Sequence, residues 1–279
     1  MTPFGSFRAA LLATFLAAIL ALTACGGESD PGEPESEPAP AQSIAEPRAS
    51  TGSPQPSGSP VLPDLSGEAA GQLRREVARA DREEIAIGNG SCELIMLIGD
   101  ALLERGDEVV FADPSFVVYD DVCRRHGATA VKVPTVDFVH DLGAMAAAVT
   151  PRTKMVIVCN PNNPTGTYVP AKRVAALVAT VPEDVLVVVD EAYNEFVAAP
   201  DAQDTLALQA AHENVVVLRT FSKIYGLCGL RVGYGLCAPQ LKRAVDKLRQ
   251  PFNVNRLAQV AALEALKHQD QVRARAAAN

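Results

Sequence analysis

The chain has no tryptophan, and aromatic residues make up only 5% of its 279 positions. Its core must therefore be aliphatic, which suits a globular α/β protein. Cationic residues are in the minority: 25 Lys and Arg stand against 33 Asp and Glu, a formal net charge of −8. With no basic cluster along the chain, this excludes a general nucleic-acid binder. Cysteine is sparse. Beyond Cys25, the residues Cys92, Cys123, Cys159, Cys228 and Cys237 are odd in number and form no CxxC pair. That argues against a disulfide framework or a zinc site, and no metal is expected. The five read as small buried hydrophobes.

Long apolar runs are confined to the start. Arg8 is followed by an apolar run over residues 9–22 and then by Leu22-Thr23-Ala24-Cys25. A charged start, an apolar middle and small residues at the end make a secretory signal peptide rather than a transmembrane anchor. Leu-Thr-Ala-Cys resembles the bacterial lipobox, so residues 1–25 are expected to be a lipoprotein signal, with Cys25 lipidated. Residues 26–63 hold nine prolines, six acidic residues and one basic residue. Such a stretch cannot bury enough apolar surface to offset its ordering entropy, and it reads as a disordered linker. On this reading the chain is exported and meets a membrane only through Cys25. Buried-type thiols are more usual in the cytoplasm, which stands as the alternative location.

Residues 64–279 form the expected folded part, in which helical and strand patterns alternate. Helices are expected over residues 73–80, 92–105, 116–126, 142–149, 171–179, 240–248 and 256–267. The strands are EIAIG, EVVFADP, ATAVKVP, KMVIVCNP, DVLVVVDEAY, NVVVLRT and LRVGYGLC. Several are unbroken β-branched runs, which must be covered on both faces. Strand and helix in alternation give right-handed crossovers. The predicted architecture is α/β, a three-layer sandwich around a mainly parallel sheet. In such sheets ligands bind at the carboxyl ends of the strands.

Polar clusters fall at four strand exits: Gly88-Asn89-Gly90-Ser91, Asn160-Pro161-Asn162-Asn163, Asp190-Glu191-Ala192-Tyr193 and Ser222-Lys223. The first lies between a strand and a helix start, where free N–H groups and the helix dipole favour a phosphate. It half-matches a dinucleotide fingerprint, but Glu93 stands where the third glycine belongs. Asp190 ends an apolar strand, a costly place for a carboxylate unless a cation or donor meets it. Lys223 follows another such strand, with Arg231 nearby. Together these parts suit one ligand with a phosphate, a basic ring nitrogen and a carbonyl for an amine to condense with.

The motifs GNGSCELI, FADPSFVVY, CNPNNPTG, VVVDEAYNEF and RTFSKIYGLCGLRVGYG occur in this order between residues 73 and 267. In them the sequence resembles the fold-type I, class I/II aminotransferases, and within these the histidinol-phosphate aminotransferase branch. The resemblance implies pyridoxal 5'-phosphate as cofactor, an amino donor and a 2-oxo acid as substrates, and a homodimer. It implies Lys223 as the catalytic amine that condenses with the cofactor and then shuttles a proton. Asp190 would pair with the ring nitrogen, Asn163 and Tyr193 with the ring hydroxyl, and Tyr119 would stack on the ring. Ser91, the Cys92 backbone N–H, Ser222 and Arg231 would hold the phosphate, with Thr220 assisting. Sister activities that the motifs leave open are an aromatic aminotransferase and a threonine-phosphate decarboxylase; an inactive remnant is a third reading. The sequence departs from the family in having Cys92 where an aspartate is usual. It has no tyrosine before Tyr119, where the family carries one that reaches the neighbouring subunit's phosphate. The family's carboxylate-binding arginine, carried on a small C-terminal domain, has no counterpart before Asn279, so residues 64–279 read as an incomplete large domain.

Overall fold

The computed structural model describes residues 82–202 and 204–279. The expected signal, Cys25, the linker and the helix over residues 73–80 lie outside the described residues. Seven strands make one sheet: β1 (Ile85–Gly88), β2 (Glu108–Asp113), β3 (Thr129–Pro134), β4 (Thr153–Cys159), β5 (Leu186–Asp190), β6 (Val215–Thr220) and β7 (Gly233–Leu236). Their order is β1-β7-β6-β5-β4-β2-β3. The pairs from β6 through β3 are parallel, while β7 runs antiparallel to both β6 and β1. Two antiparallel steps restore the direction, so β1 ends on the same edge as β4, β5 and β6.

Alternation along the central strands builds both covering layers. Met155, Ile157, Leu186, Val188, Val216 and Leu218 face one side. They meet Leu94, Ile95 and Ile98 of α1 (Ser91–Leu102), Val122 of α2 (Val118–His126) and Val245 of α6 (Pro239–Leu248). Val156, Val158, Val187, Val189, Val215 and Val217 face the other side. There they meet Met145 of α3 (Leu142–Ala147), Val174 and Leu177 of α4 (Ala171–Thr180), and Ala258 and Ala262 of α7 (Arg256–Leu266). Every residue of β5 and β6 is buried, as β-branched runs require. Burial of each such Val or Leu side chain contributes about 1.5–3 kcal/mol against a large ordering entropy.

Two helices were not expected from sequence. α5 (Asp204–Ala211) turns Thr205 and Gln209 inward, so its buried face lacks an apolar stripe. α8 (Gln269–Ala278) buries only Val272. The helix expected over residues 92–105 stops at Leu102: Leu103 is already extended, and its N–H bonds back to Gly99 at 2.9 Å. α2 ends as expected at Gly127, in the left-handed region at φ 66°. No described helix is long and apolar enough to cross a membrane.

Candidate active site

The strand order brings the exits of β1, β6, β5 and β4 to one edge of the sheet. A recess there is lined by Ser91, Cys92, Phe116, Cys159, Asn163, Asp190, Ala192, Tyr193, Thr220, Ser222, Lys223 and Arg231. The second cavity beside it, about 770 Å³, shares Asn163, Tyr193 and Lys223 with the recess and adds Tyr168 and Phe196.

Asp190 is the last residue of β5 and is 2% exposed. The Tyr119 hydroxyl donates to its Oδ2 at 2.8 Å, and the Ala192 N–H to its Oδ1 at 3.3 Å. Burial raises its pKa above the ordinary carboxylate value, and the two hydrogen bonds pull partly back. Lys223 follows β6 by three residues, and its Nζ stands 4.8 Å from the centroid of the Tyr193 ring. A buried acid and an amine thus line one recess.

Arg231 supplies the second positive charge. Its Nη1 donates to Ser222 Oγ at 3.1 Å and to the Cys228 carbonyl at 2.9 Å. Thr220 Oγ1 in turn donates to Ser222 Oγ at 3.0 Å and accepts from the Ser222 N–H at 3.1 Å. Arg231 has φ 59°, a strained value for a residue with a side chain. The α1 N-terminus enters the same corner. A Cβ on Gly90 would stand 2.4 Å from Arg231 Nη2, and one on Gly233 would stand 2.5 Å from the Ser91 nitrogen. Only glycine lets the guanidinium and β7 come this close to the first turn of α1. Gly90 gives no side-chain cap, so that turn keeps its N–H groups for another acceptor. Glu93, the residue in place of the third fingerprint glycine, accepts from the Asn89 N–H at 2.6 Å and from Asn253 Nδ2 at 2.7 Å, fixing the turn. Serine hydroxyls, a guanidinium and a helix N-terminus make an anion cup.

Asn163 sits on a loop locked from within. Asn160 exchanges two hydrogen bonds with Val169, both 2.8 Å, and Asn162 accepts from Ser115 Oγ at 2.8 Å. Both thiols in the recess are pushed toward the neutral form. Burial and then Asp190 push Cys159 up to about 12, and the same two influences raise Cys92. Of the five thiols, Cys123, Cys159 and Cys237 are buried as expected, but Cys92 is only partly buried and Cys228 is exposed on the loop before Arg231.

The structure thus gathers Ser91, Cys92, Asn163, Asp190, Tyr193, Thr220, Ser222, Lys223 and Arg231 at one place. Tyr119 is the correction. It is 0% exposed, its ring meets Phe111 and Phe116 edge-on at 5.7 Å, and it does not line the recess. It stands behind Asp190 as a hydrogen-bond donor, so it has no open face to stack on a ligand. Phe116 lines the recess instead, a place not expected for it from sequence. Its signal was an aromatic two residues after the strand-ending Pro114.

A family profile described as aminotransferase class I and II matches residues 31–279. The chain belongs to this family. As a class I/II aminotransferase it is 51% identical, over 192 residues, to histidinol-phosphate aminotransferase of Moorella thermoacetica, covering 68% of this chain and 50% of that protein. It is 48% identical over 212 residues to aromatic amino acid aminotransferase of Thermobifida fusca, covering 75% of this chain and 59% of the relative. Among solved structures it resembles histidinol-phosphate aminotransferase of Sinorhizobium meliloti in complex with pyridoxal-5'-phosphate, with a TM-score of 0.73 at 35% identity. That likeness covers 76% of this chain and 58% of the solved one. The chain spans about half the length of the curated relatives it matches.

Proposed function

We propose that this chain is a pyridoxal-phosphate-dependent aminotransferase that exchanges an amino group between histidinol phosphate and 2-oxoglutarate, giving imidazole-acetol phosphate and glutamate. The observation that carries the reading is that Lys223, Asp190 and the Ser91, Ser222 and Arg231 cup line one recess. The donor set fits the cofactor. A phosphate needs hydroxyls, N–H groups and positive charge, and the cup at Gly90 and Gly233 offers all three with no Cβ in the way. A pyridine nitrogen needs a carboxylate shielded from water, and Asp190 is one.

Bound there, pyridoxal phosphate supplies a carbonyl for an amine to condense with and a ring that accepts electrons. Lys223 would hold the carbonyl end through its amine, with loss of water, and once displaced by the substrate's amine would be free to take and return the proton on the substrate's Cα. Asp190, oriented by Tyr119 and Ala192, would keep the ring nitrogen protonated. Asn163 and Tyr193 would bond the ring hydroxyl, and Phe116 would cover a ring face. Ser91, the Cys92 N–H, Ser222 and Arg231 would hold the phosphate, and Thr220 orients Ser222.

The test uses the full chain with pyridoxal phosphate. The wild type should develop a visible band, and borohydride reduction should fix the cofactor to the peptide bearing Lys223. Lys223→Ala should do neither. A wild type that captures no cofactor at Lys223 sinks the proposal. The Thermobifida relative favours a second reading, an aromatic amino-acid substrate; comparing glutamate formation from histidinol phosphate and from phenylalanine decides between them.

The same family reading makes the active form a homodimer, which sedimentation of the loaded protein tests. The leader reading makes Cys25 the lipid-bearing, membrane-anchored residue. Palmitate labelling that is lost in Cys25→Ser is the expected result, and an unprocessed, unlabelled product overturns it.

A further inference from the structure

Behind the recess, on the opposite face of the sheet, lies an ion pair that the site chemistry does not use. Asp190 and Leu218 are register partners in the parallel β5–β6 pair. One step outward on each strand stand Glu191 and Arg219, and the Glu191 N–H donates to the Leu218 carbonyl at 2.8 Å. Because side chains alternate, Asp190 and Thr220 line the recess while Glu191 and Arg219 turn to the other layer. There Arg219 grips one carboxylate oxygen of Glu191 with two donors, Nε at 2.9 Å and Nη2 at 2.7 Å. The other oxygen accepts from Thr205 Oγ1 of α5. Glu191 is 1% exposed and Arg219 is 6% exposed.

A pair buried this deeply is poorly accounted for by stability. Desolvating both charges offsets most of their attraction, and apolar replacements of like volume are often neutral or stabilising. What such a pair does supply is geometry. A two-donor grip on one carboxylate fixes the distance and angle between the segments that carry it. Here those segments carry Asp190 on one side and Thr220, Ser222 and Lys223 on the other.

We propose that Glu191 and Arg219 are positioning residues: their buried pair sets the spacing between Asp190 at the end of β5 and the Thr220–Lys223 segment at the end of β6. Thr205 steadies the pair from α5. The inference rests on the proposed cofactor reading, and the test separates the two. Wild type, Glu191→Met/Arg219→Met and Thr205→Val are each prepared as full chains. Three quantities are read: the melting midpoint without cofactor, the pH titration of the visible band with pyridoxal phosphate, and the fraction of cofactor fixed to Lys223 by borohydride.

The double variant should melt near or above the wild type. Its fixed fraction at one sub-saturating cofactor concentration should fall roughly tenfold, and its titration should move by about one pH unit, the equivalent of that factor. Thr205→Val, which keeps the pair but removes its third contact, should show the same changes at about a third of the size. It also serves as the readout if the double variant does not fold. A wild-type titration and capture in a folded double variant, or in Thr205→Val, overturns the inference and leaves the cofactor reading standing. Loss of capture only in step with loss of melting temperature overturns it too, since that is a purely structural role. A wild type that is not captured at Lys223 removes the cofactor reading and this inference with it.

Discussion

Glu195 offers a quantitative test of how burial acts beside the site. It sits in the single turn Asn194–Phe196 that follows Tyr193, and its Oε2 is buried with no hydrogen-bond partner. Burial raises its carboxyl from the ordinary 4.5 to about 7; the positive Arg219 opposes the rise and the negative Glu191 adds to it. The folded state therefore prefers the neutral acid. The stability this contributes is fully present below about pH 4.5 and is lost as pH rises through about 7. Above that, folding must bury a carboxylate, at a cost of about 3 kcal/mol. Glu195→Gln keeps the shape of the neutral acid and cannot ionise, so it escapes the loss. Urea unfolding from pH 4 to pH 9 should give superimposed curves for the two proteins at the acid end. Near pH 8 the variant should be the more stable by about 3 kcal/mol, roughly 6–12 °C in melting temperature for a folded part of this size. A pH-independent offset, or a variant less stable near pH 8, would refute the argument that desolvation dominates at Glu195.

Leu218→Ala, at a site 0% exposed in the central strand β6, should cost about 2–5 kcal/mol in chemical unfolding. Gly233→Ala drives a Cβ to 2.5 Å from the Ser91 nitrogen; it should cost about 1–3 kcal/mol and weaken pyridoxal phosphate binding measured by equilibrium dialysis. Gly229→Ala, where a Cβ meets nothing within 4 Å, is the control and should stay within about 0.5 kcal/mol of the wild type. Tyr119→Phe removes the donor at 2.8 Å from Asp190; it should cost about 1.5–3 kcal/mol at neutral pH and less in acid, where Asp190 is protonated. Retained stability in Tyr119→Phe across that range would mean that water or another donor replaces the hydroxyl.

What the sequence carried and what it withheld divide along one physical line. Val185 to Val189 and Val215 to Leu218 announce buried strands because β-branched runs have no other comfortable home, and the polar residues that end them must then face the sheet edge. Asp190, Thr220, Ser222 and Lys223 were legible for that reason. α8 was not, because a helix that buries only Val272 leaves no stripe to read, and α5 turns polar Thr205 and Gln209 inward. The choice between Phe116 and Tyr119 was also beyond pattern. The two stand three apart, Phe116 in the loop before α2 and Tyr119 in its first turn, and which faces the recess depends on how that turn meets Asp190, 71 positions along the chain. The Glu191–Arg219 pair is hidden in the same way. Alternation tells which face each residue takes, but only the β5–β6 register puts residues 28 apart within one grip. Local pattern thus reaches the groups that touch a ligand, because chemistry restricts their type. The groups that hold those in place are restricted only by register, and register is settled by the packing of the whole sheet.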